Sequence, residues 1–429
     1  MPHETPLIAT MAIGLGLACL FGLLAHRLRL PLIAGYLAAG VLIGPFTPGY
    51  VADQEIAAQL AEMGVILLMF GVGMHFSIRE LLAVRRIALP GALAQMAVAT
   101  AAGTALGLLL GWGLGGGLLF GLALSVASTV VLLRALEERG VLGSDGGHIA
   151  VGWLVVEDLV MVLALVMIPP LAGLLGGEAQ PVEAEVAEVA QLGFGTIGAT
   201  VLVTLAKVSA FVAVMLLVGQ RVIPCVLETV AMTGQRELFR LSVLAIALGV
   251  AFAAASVFGV SFALGAFFAG MVMAGSTLSA QAMKDSLPFR DAFAVLFFVS
   301  VGMLFNPAIL WEQPFSVMVT VLILLGVKSA TAYGIVVALG HDRPTARLIA
   351  AALAQIGEFS FIVIVMGVNL RIVPTDARDL VVAGALVSIL VNPLMFRWAD
   401  KVGSVAPDAA KGGSVGMAGK DAVKPAEQG

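Results

Sequence analysis

The chain has 429 residues, of which 60% are hydrophobic and 12% are charged, and its formal net charge is −4. A soluble domain carries about 25% charged residues, whereas the mean hydropathy of this chain is +1.06. These values exclude an ordinary soluble enzyme, a disordered chain and a nucleic-acid binder. Cys19 and Cys225 lie in or beside apolar runs, with neither metal-ligand nor disulfide spacing.

Long apolar runs follow one another along most of the chain. A membrane-spanning helix needs about 20 mostly apolar residues, because each backbone amide must find its partner within the segment. The sequence predicts an all-α polytopic membrane protein of about thirteen spans, the ninth and tenth being the shortest. Their approximate limits are 7–25, 32–48, 56–74, 87–112, 116–134, 148–170, 196–218, 239–258, 261–275, 292–305, 315–339, 346–368 and 379–398.

The basic residues predict the orientation of these spans. Of the 23 Lys and Arg residues, Lys207 and Lys328 lie within spans, and Arg371 and Arg378 fall in loops on one side. The others fall on the opposite side or in the tail, which the positive-inside rule assigns to the cytoplasm. The N-terminus is therefore expected outside and the C-terminus in the cytoplasm. The longest outer loop, at about 171–195, is acidic and includes Glu183, Glu185 and Glu188.

Two short segments recur at almost the same offset. Val72–Phe76 resembles Val301–Phe305, and Gly35–Gly40 resembles Gly265–Gly270, at offsets of about 230 residues. The offset equals seven spans, and because seven is odd the second copy enters the bilayer from the opposite side. Inverted repeats of this kind are typical of transporters whose site lies at the midplane between broken helices. The alternative is that membrane composition alone produced the two matches.

Polar residues interrupt two runs at places related by this offset. Span five contains Ser128 and Thr129, and the corresponding part of span twelve contains Gln355–Ser360. Small and polar residues at depth allow a helix to unwind, and two facing breaks direct helix ends and bare carbonyls at one centre. For the two hydroxyl residues the alternative is ordinary hydrogen bonding to the preceding helical turn.

Four charged residues are predicted to lie at bilayer depth: Glu157 and Asp158 in span six, Lys328 in span eleven and Glu358 in span twelve. Such charges are costly and usually serve ion or proton traffic. Adjacent residues differ by about 100° around a helix, so one acid of the Glu157–Asp158 pair can meet a fixed partner while the other faces a cavity. A buried carboxylate that holds either a proton or a metal cation, but not both, is the simplest exchanger.

Other interpretations of these residues stay open. A buried Glu157–Lys328 or Glu358–Lys328 salt bridge that only fixes packing is the structural alternative. A gated cation efflux channel is the functional alternative of another class. An enzyme is not expected, because the sequence shows no convincing catalytic set.

The chain resembles the Kef-type branch of the monovalent cation:proton antiporters (cation:proton antiporter family 2) over about 7–398. The segments that carry the resemblance are Leu32–Tyr36, Ser128-Thr129, Glu157-Asp158, Phe298–Met303 and Gln355–Phe361. The resemblance implies a sodium/proton-antiporter-like fold with an inverted repeat and two discontinuous crossing helices. It also implies a homodimer in which a core domain slides against a dimerising scaffold.

The resemblance divides the chain into scaffold and core units. It places scaffold helices at 1–83 and 237–312, core helices at 84–195 (with the acidic outer loop) and 313–399, and a linker helix at 196–236. Residues 400–429 are rich in Ala, Gly and Lys without apolar periodicity, which predicts a disordered cytosolic tail.

The predicted function is exchange of a monovalent cation for protons by alternating access, and the resemblance implies that Asp158 is the shared carboxylate. The predicted ion and proton site contains Asp158, Glu157, Ser128, Thr129 and Glu358, with Lys328 as charge partner, and Asp158 and Thr129 are the expected ligands of the cation. No cofactor is expected. K⁺ is the favoured ion. The familiar Kef pattern, however, has Gln-Asp where this chain has Glu-Asp, which leaves electrogenic Na⁺/H⁺ exchange as the alternative.

Kef-type chains commonly continue into a cytosolic nucleotide-binding regulatory domain, and this sequence reaches Gly429 without one. A separate cytosolic regulatory subunit therefore stays open as a partner, beside the lipid bilayer and a second copy of the chain. The expected location is the bacterial inner membrane.

Overall fold

The computed structural model describes residues 6–28, 30–75, 78–178, 186, 189–190 and 195–401, and its regular elements there are helices. Glu183, Glu185 and Glu188 of the predicted acidic loop and residues 402–429 of the predicted tail lie outside the described residues. The helices are α1 (Pro6–Arg27), α2 (Leu32–Ile43), α3 (Gln54–His75), α4 (Ile78–Leu109), α5 (Gly113–Ser125), α6 (Thr129–Glu138), α7 (Asp145–Leu171), α8 (Gly195–Val214), α9 (Gln220–Ala231), α10 (Arg236–Phe258), α11 (Phe262–Ala274), α12 (Ser279–Met303), α13 (Ile309–Glu312), α14 (Pro314–Leu322), α15 (Lys328–Ala338), α16 (Arg343–Ala352), α17 (Glu358–Asn369) and α18 (Thr375–Lys401).

The chain is an integral membrane protein with multiple spans. Nine helical stretches of the described residues are long and apolar enough to cross a bilayer: α1, α3, α4, α7, α8–α9, α10, α12, α14–α15 and α18. Single π-helical turns, Met215–Gly219 and Ile323–Val327, join α8 to α9 and α14 to α15. The shorter apolar helices α2, α5, α11 and α17 lie in four further predicted runs.

Several predicted limits differ from the structure, for example at the start of α4, which is Ile78 and not residue 87, and three differences have an identified cause. The tenth run was expected at 292–305, but α12 already begins at Ser279, because Lys284, Asp285 and Arg290 hide the first half of this helix from a search for apolar residues. The second run was expected to reach residue 48, yet α2 ends at Ile43, before Gly44-Pro45.

The third difference concerns two runs that were treated as single spans, 116–134 and 346–368. The first is split between α5 and α6 at residues 126–128, and the second between α16 and α17 at residues 353–357. Both interruptions fall where the polar residues predicted them.

Glycines bring the helices of the two matched segments into close contact. A Cβ built on Gly40 of α2 would overlap the carbonyl oxygen of Val299 on α12, and one built on Gly302 of α12 would overlap the carbonyl oxygen of Leu37 on α2. Only residues without a side chain permit such an approach of two helix backbones.

A second crossing repeats this arrangement. A Cβ on Gly73 of α3 would overlap the carbonyl oxygen of Phe267 on α11, and one on Gly270 of α11 would overlap that of Phe70 on α3. Gly40 and Gly270 occupy equivalent places in one matched segment, as Gly73 and Gly302 do in the other. Each segment of the first copy thus packs on the other segment of the second copy.

We predict that Gly302→Ala destabilises the protein by about 1–3 kcal/mol, because the added methyl group forces α2 and α12 apart. The measurement is the melting temperature of the detergent-purified protein. The matched control is Gly334→Ala in α15, where a Cβ would meet nothing within 4 Å. That variant is expected to be neutral or slightly stabilising, and equal melting temperatures for both variants would contradict the packing.

Candidate functional site

The first interruption is an extended stretch of three buried residues, Val126–Ser128, between α5 and α6. It begins where the Ser125 hydroxyl bonds back to the carbonyl of Leu122, at 2.7 Å, which competes with continued helix. It ends where Ser128 caps α6, its Oγ accepting a hydrogen bond of 3.3 Å from the Val131 amide. Two hydroxyl residues therefore delimit the break, Ser125 at its start and the predicted Ser128 at its end.

The second interruption crosses the first in direct backbone contact. The amide of Gly357 donates a 3.2 Å hydrogen bond to the carbonyl of Val126. A Cβ on Gly357 would overlap the carbonyl oxygen of Ala127, so only glycine allows the two extended segments to approach this closely. The predicted juxtaposition of the two breaks is present in the structure.

Gln355 connects the two breaks, a role that was not predicted from the sequence. Its side-chain amide donates to the carbonyl of Ser128 and its Oε1 accepts from the Ser128 amide, both at 3.0 Å. This reciprocal pair imitates the bonding between two strands. Its position in Gln355–Phe361 and its depth in an apolar run were signals that could have identified it.

A second buried glutamine, Gln95 of α4, was also missed. Its Nε2 donates a 3.0 Å hydrogen bond to the carbonyl of Ser125, which is the last residue of α5. Its Oε1 accepts a 3.3 Å hydrogen bond from the indole of Trp153. Gln95 therefore satisfies a carbonyl at the helix end that points into the break, and it ties α4 to α7.

Glu157 and Asp158 reach the first break from adjacent positions on α7. The Glu157 Oε2 atom accepts a 2.8 Å hydrogen bond from the amide of Ala127, while the Asp158 Oδ2 atom accepts a 3.0 Å hydrogen bond from the hydroxyl of Thr129. Both acids are buried, with relative exposures of 0% and 5%. As predicted, one has a fixed backbone partner and the other faces elsewhere.

Glu358 begins α17 and is also buried. Its carboxylate interacts with the side chain of Ser128 and lies at the positive end of a helix dipole. Thr129 opens α6 directly opposite, so that the N-termini of two half-helices, each preceded by an extended segment, meet at the same place.

A cavity of about 900 Å³ reaches this centre. Its walls include Asp158, Thr129 and Glu358, and it extends to the C-terminal ends of α1 and α6, where His26 and Arg139 line it. Among the described residues, one oxygen of each of the three acids has no hydrogen-bond partner: Glu157 Oε1, Asp158 Oδ1 and Glu358 Oε2. Carboxylate and hydroxyl oxygens are hard ligands that suit monovalent metal cations and protons.

Lys328 is fully buried where the π-helical turn ends and α15 begins. Its Nζ donates a 3.0 Å hydrogen bond to the carbonyl of Gln355. The carboxylate whose charge acts on it is that of Glu157. Of the two carboxylate partners that the sequence left open, the structure thus favours Glu157, and it adds a backbone carbonyl of the second break.

Comparison with known proteins agrees with this geometry. The fold is similar to that of the sodium proton antiporter MjNhaP1 from Methanocaldococcus jannaschii, with a TM-score of 0.59 at 14% identity over 92% of this chain and 98% of the other. A second structure of that protein gives a TM-score of 0.56. The helices broken at a common buried centre thus belong to a fold of the sodium/proton-antiporter type.

The family follows from sequence. The family described as "Sodium/hydrogen exchanger, transmembrane" matches residues 15–400. The "Putative cation/proton antiporter YbaL" of Escherichia coli (strain K12) is 56% identical over 401 residues, covering 94% of this chain and 70% of the relative. "K(+) efflux antiporter 4" of Arabidopsis thaliana is 30% identical over 369 residues, covering 86% of this chain and 59% of the relative.

The chain belongs to this family of monovalent cation:proton antiporters and is a transporter, not an enzyme. The resemblance to the Kef-type branch is confirmed by the same relatives. The chain spans less than two thirds of the length of the plant relatives.

We predict that Gln355→Met destabilises the protein by about 2–3 kcal/mol and strongly reduces transport, because it leaves the amide and carbonyl of Ser128 buried without this partner. Melting temperature and transport in proteoliposomes are the two measurements. Gln281→Met, at an exposed position of α12, is the control and is expected to match the wild type. A stable, active Gln355→Met protein would show that the pairing is dispensable.

Proposed function

We propose that this chain exchanges a monovalent cation for protons across the membrane by alternating access, with Asp158 as the carboxylate that both share. The observation that carries the proposal is the position of Asp158. It is buried in a membrane-spanning helix, bonded to Thr129 at the meeting point of two helix breaks, and it lines a cavity.

The exchange follows from competition for one group. Asp158 Oδ1 has no hydrogen-bond partner among the described residues, so it is available to a proton or to a metal cation. The Thr129 hydroxyl and the Glu358 carboxylate supply further oxygen atoms on the same cavity wall. A proton on Asp158 removes the charge that holds the cation, and a bound cation disfavours the proton. Each ion therefore displaces the other.

The cavity gives the site access to one side. It extends to the C-terminal ends of α1 and α6, and Phe396 lines it near the C-terminal end of α18. The distribution of basic residues assigns these ends to the cytoplasm. With the N-terminus outside, as we propose, a cavity open at these ends supports an inward-facing state in a bacterial inner membrane.

The walls of the cavity support a division into two moving units. Tyr36, Leu68 and Phe298 line it from α2, α3 and α12, and Leu154 and Asn392 line it from α7 and α18. We assign the first group to the scaffold (1–83 and 237–312) and the second to the core (84–195 and 313–399), with 196–236 as the linker. Sliding of the core against the scaffold would expose Asp158 to the two aqueous sides in turn. In a homodimer, contacts between the two scaffolds would keep them fixed while the cores move.

The reciprocal glycine contacts support an inverted repeat within the chain of thirteen spans. Gly40 meets α12 and Gly270 meets α3 in the same manner, as two copies related by a pseudo-two-fold axis require. The two breaks at 126–128 and 353–357 stand at the same offset. Such symmetry allows the packing of the inward-facing state to be exchanged for the packing of the outward-facing state, which the pseudo-two-fold axis relates to it.

We predict that Asp158→Asn abolishes cation-driven proton movement, because an amide carries neither the negative charge nor a titratable proton. The measurement is proton flux in proteoliposomes after an imposed K⁺ or Na⁺ gradient. The control is Asp285→Asn, which removes an acid that pairs with the exposed Arg240 outside the cavity. Unchanged exchange by Asp158→Asn would reject the assignment, and cation flux indifferent to protons would indicate a channel.

The same assay compares the ions. We favour K⁺, the ion named for the plant relatives, and Na⁺ is the alternative because Glu157 adds a second acid beside Asp158. Wild-type flux with Li⁺, Na⁺, K⁺ and Rb⁺, each with and without clamped voltage, separates K⁺/H⁺ exchange from electrogenic Na⁺/H⁺ exchange.

We predict that Lys328→Met and Glu157→Gln each destabilise the protein by about 3–5 kcal/mol, because each leaves the other charge buried without its counter-charge. The double variant should recover much of this loss, since it removes both charges together. Melting temperatures of the four proteins complete the cycle. Strictly additive losses would show that Lys328 acts only through the carbonyl of Gln355.

A further inference from the structure

One positive charge on the cavity wall has no place in the exchange described above. Arg290 belongs to α12, on the scaffold side, and it lines the same cavity as Asp158 and Glu358 on the core side. Its charge is close enough to act on the carboxylate of Glu358. A fixed positive charge beside a cation-binding site weakens the binding of the cation. Its presence there therefore calls for a functional reason.

The Arg290 side chain is held in position by its surroundings. A Cβ on Gly71 of α3 would lie 2.7 Å from the Cδ atom of Arg290 and 3.3 Å from its Nη1 atom, so the glycine leaves a groove in which the arginine stem lies. The Nε and Nη2 atoms donate to one oxygen of Asp291, at 3.2 and 3.0 Å. The guanidinium therefore has a defined location on the wall.

Asp291 offsets this charge only in part. Its side chain is 66% exposed against 26% for Arg290, and an ion pair in such a solvated position is weak. Among the side chains that the structure describes, the other charged groups lining the cavity are the acids Glu137, Asp158, Asp291 and Glu358 and the bases His26 and Arg139. Of the two bases, Arg139 stacks on the ring of Phe396, 4.3 Å from its centroid, near the end of α18.

We propose that Arg290 is a tethered competitor of the transported cation. When the core faces the cavity, its carboxylates stand opposite this scaffold charge, which partly neutralises them and lowers their affinity for a metal ion on this side. Movement of the core carries the carboxylates away from Arg290, so affinity on the other side is not reduced in this way. This inference rests on the proposed function, because it presumes that the carboxylates bind the cation.

The test measures cation binding by detergent-purified protein. The melting temperature is followed against KCl and NaCl concentration, with choline chloride holding the ionic strength constant, and it gives the half-saturating concentration of each cation. We expect Arg290→Gln to lower this concentration about threefold or more, since loss of a nearby positive charge in a medium of reduced polarity strengthens cation binding. Arg290→Lys should behave as the wild type.

The matched control is Arg240→Gln. Arg240 also donates its Nε to an aspartate, Asp285, at 3.1 Å, but it lies outside the residues that line the cavity. Its half-saturating concentration should equal that of the wild type. An unchanged or raised value for Arg290→Gln, with normal exchange by the wild type, overturns the inference alone. Absence of both exchange and stabilisation in the wild type overturns the proposed function and the inference together.

A second variant covers the case in which Arg290→Gln does not fold. Asp291→Asn alters a mostly exposed side chain and removes the acid that shares the charge of Arg290. It is expected to raise the half-saturating concentration, whereas Asp285→Asn should leave it unchanged. Equal values for Asp291→Asn and the wild type would overturn the proposal in that case.

Discussion

The pairing of two interrupted helices is the interaction on which the structure of the site depends. Each interruption frees backbone amides and carbonyls inside a lipid-embedded protein, where water cannot satisfy them and each orphan group costs several kcal/mol. At the first break the carbonyl of Val126 receives the amide of Gly357, and Gln355 takes both the amide and the carbonyl of Ser128. Neither break could persist without the other.

Three further backbone groups at the breaks are bonded to side chains that also hold the site together. The Ala127 amide binds Glu157, the Ser125 carbonyl binds Gln95 and the Gln355 carbonyl binds Lys328. Glu157 and Lys328 thus share one role, since each forms a hydrogen bond with a backbone group of a broken helix. Their opposite charges then balance each other in the dry interior, so that the pair helps to fix the surroundings of Asp158.

The sequence was sufficient to identify the groups whose burial in a membrane costs much free energy at any position. Four charges in apolar runs, two polar interruptions and two glycine-rich matches could be read without a structure, and the structure brings Glu157, Asp158, Thr129 and Glu358 to one centre. Uncharged residues were harder to recognise. Gln95 and Gln355 carry no charge to make them conspicuous, and their roles exist only because Ser125 and Ser128 lie next to them in space.

Helix limits failed for an equally physical reason. A search for apolar residues finds only the apolar part of a helix, whereas the first half of α12 contains Lys284, Asp285 and Arg290. Arg290 was consequently placed in a loop on the cytoplasmic side. In the structure it is a helical residue on the wall of the cavity, which only the packing of α12 against α3 determines.

The adjacent acids on α7 show how two neighbouring carboxylates of a transporter can have separate roles. Because consecutive side chains point about 100° apart, Glu157 is directed at the backbone of the break, with Lys328 to balance it, and Asp158 is directed at the cavity. A fixed partner for Glu157 means that its charge need not change during transport. Asp158 accepts its hydrogen bond from the uncharged hydroxyl of Thr129, and so it is the acid whose charge is left for the transported ions to balance.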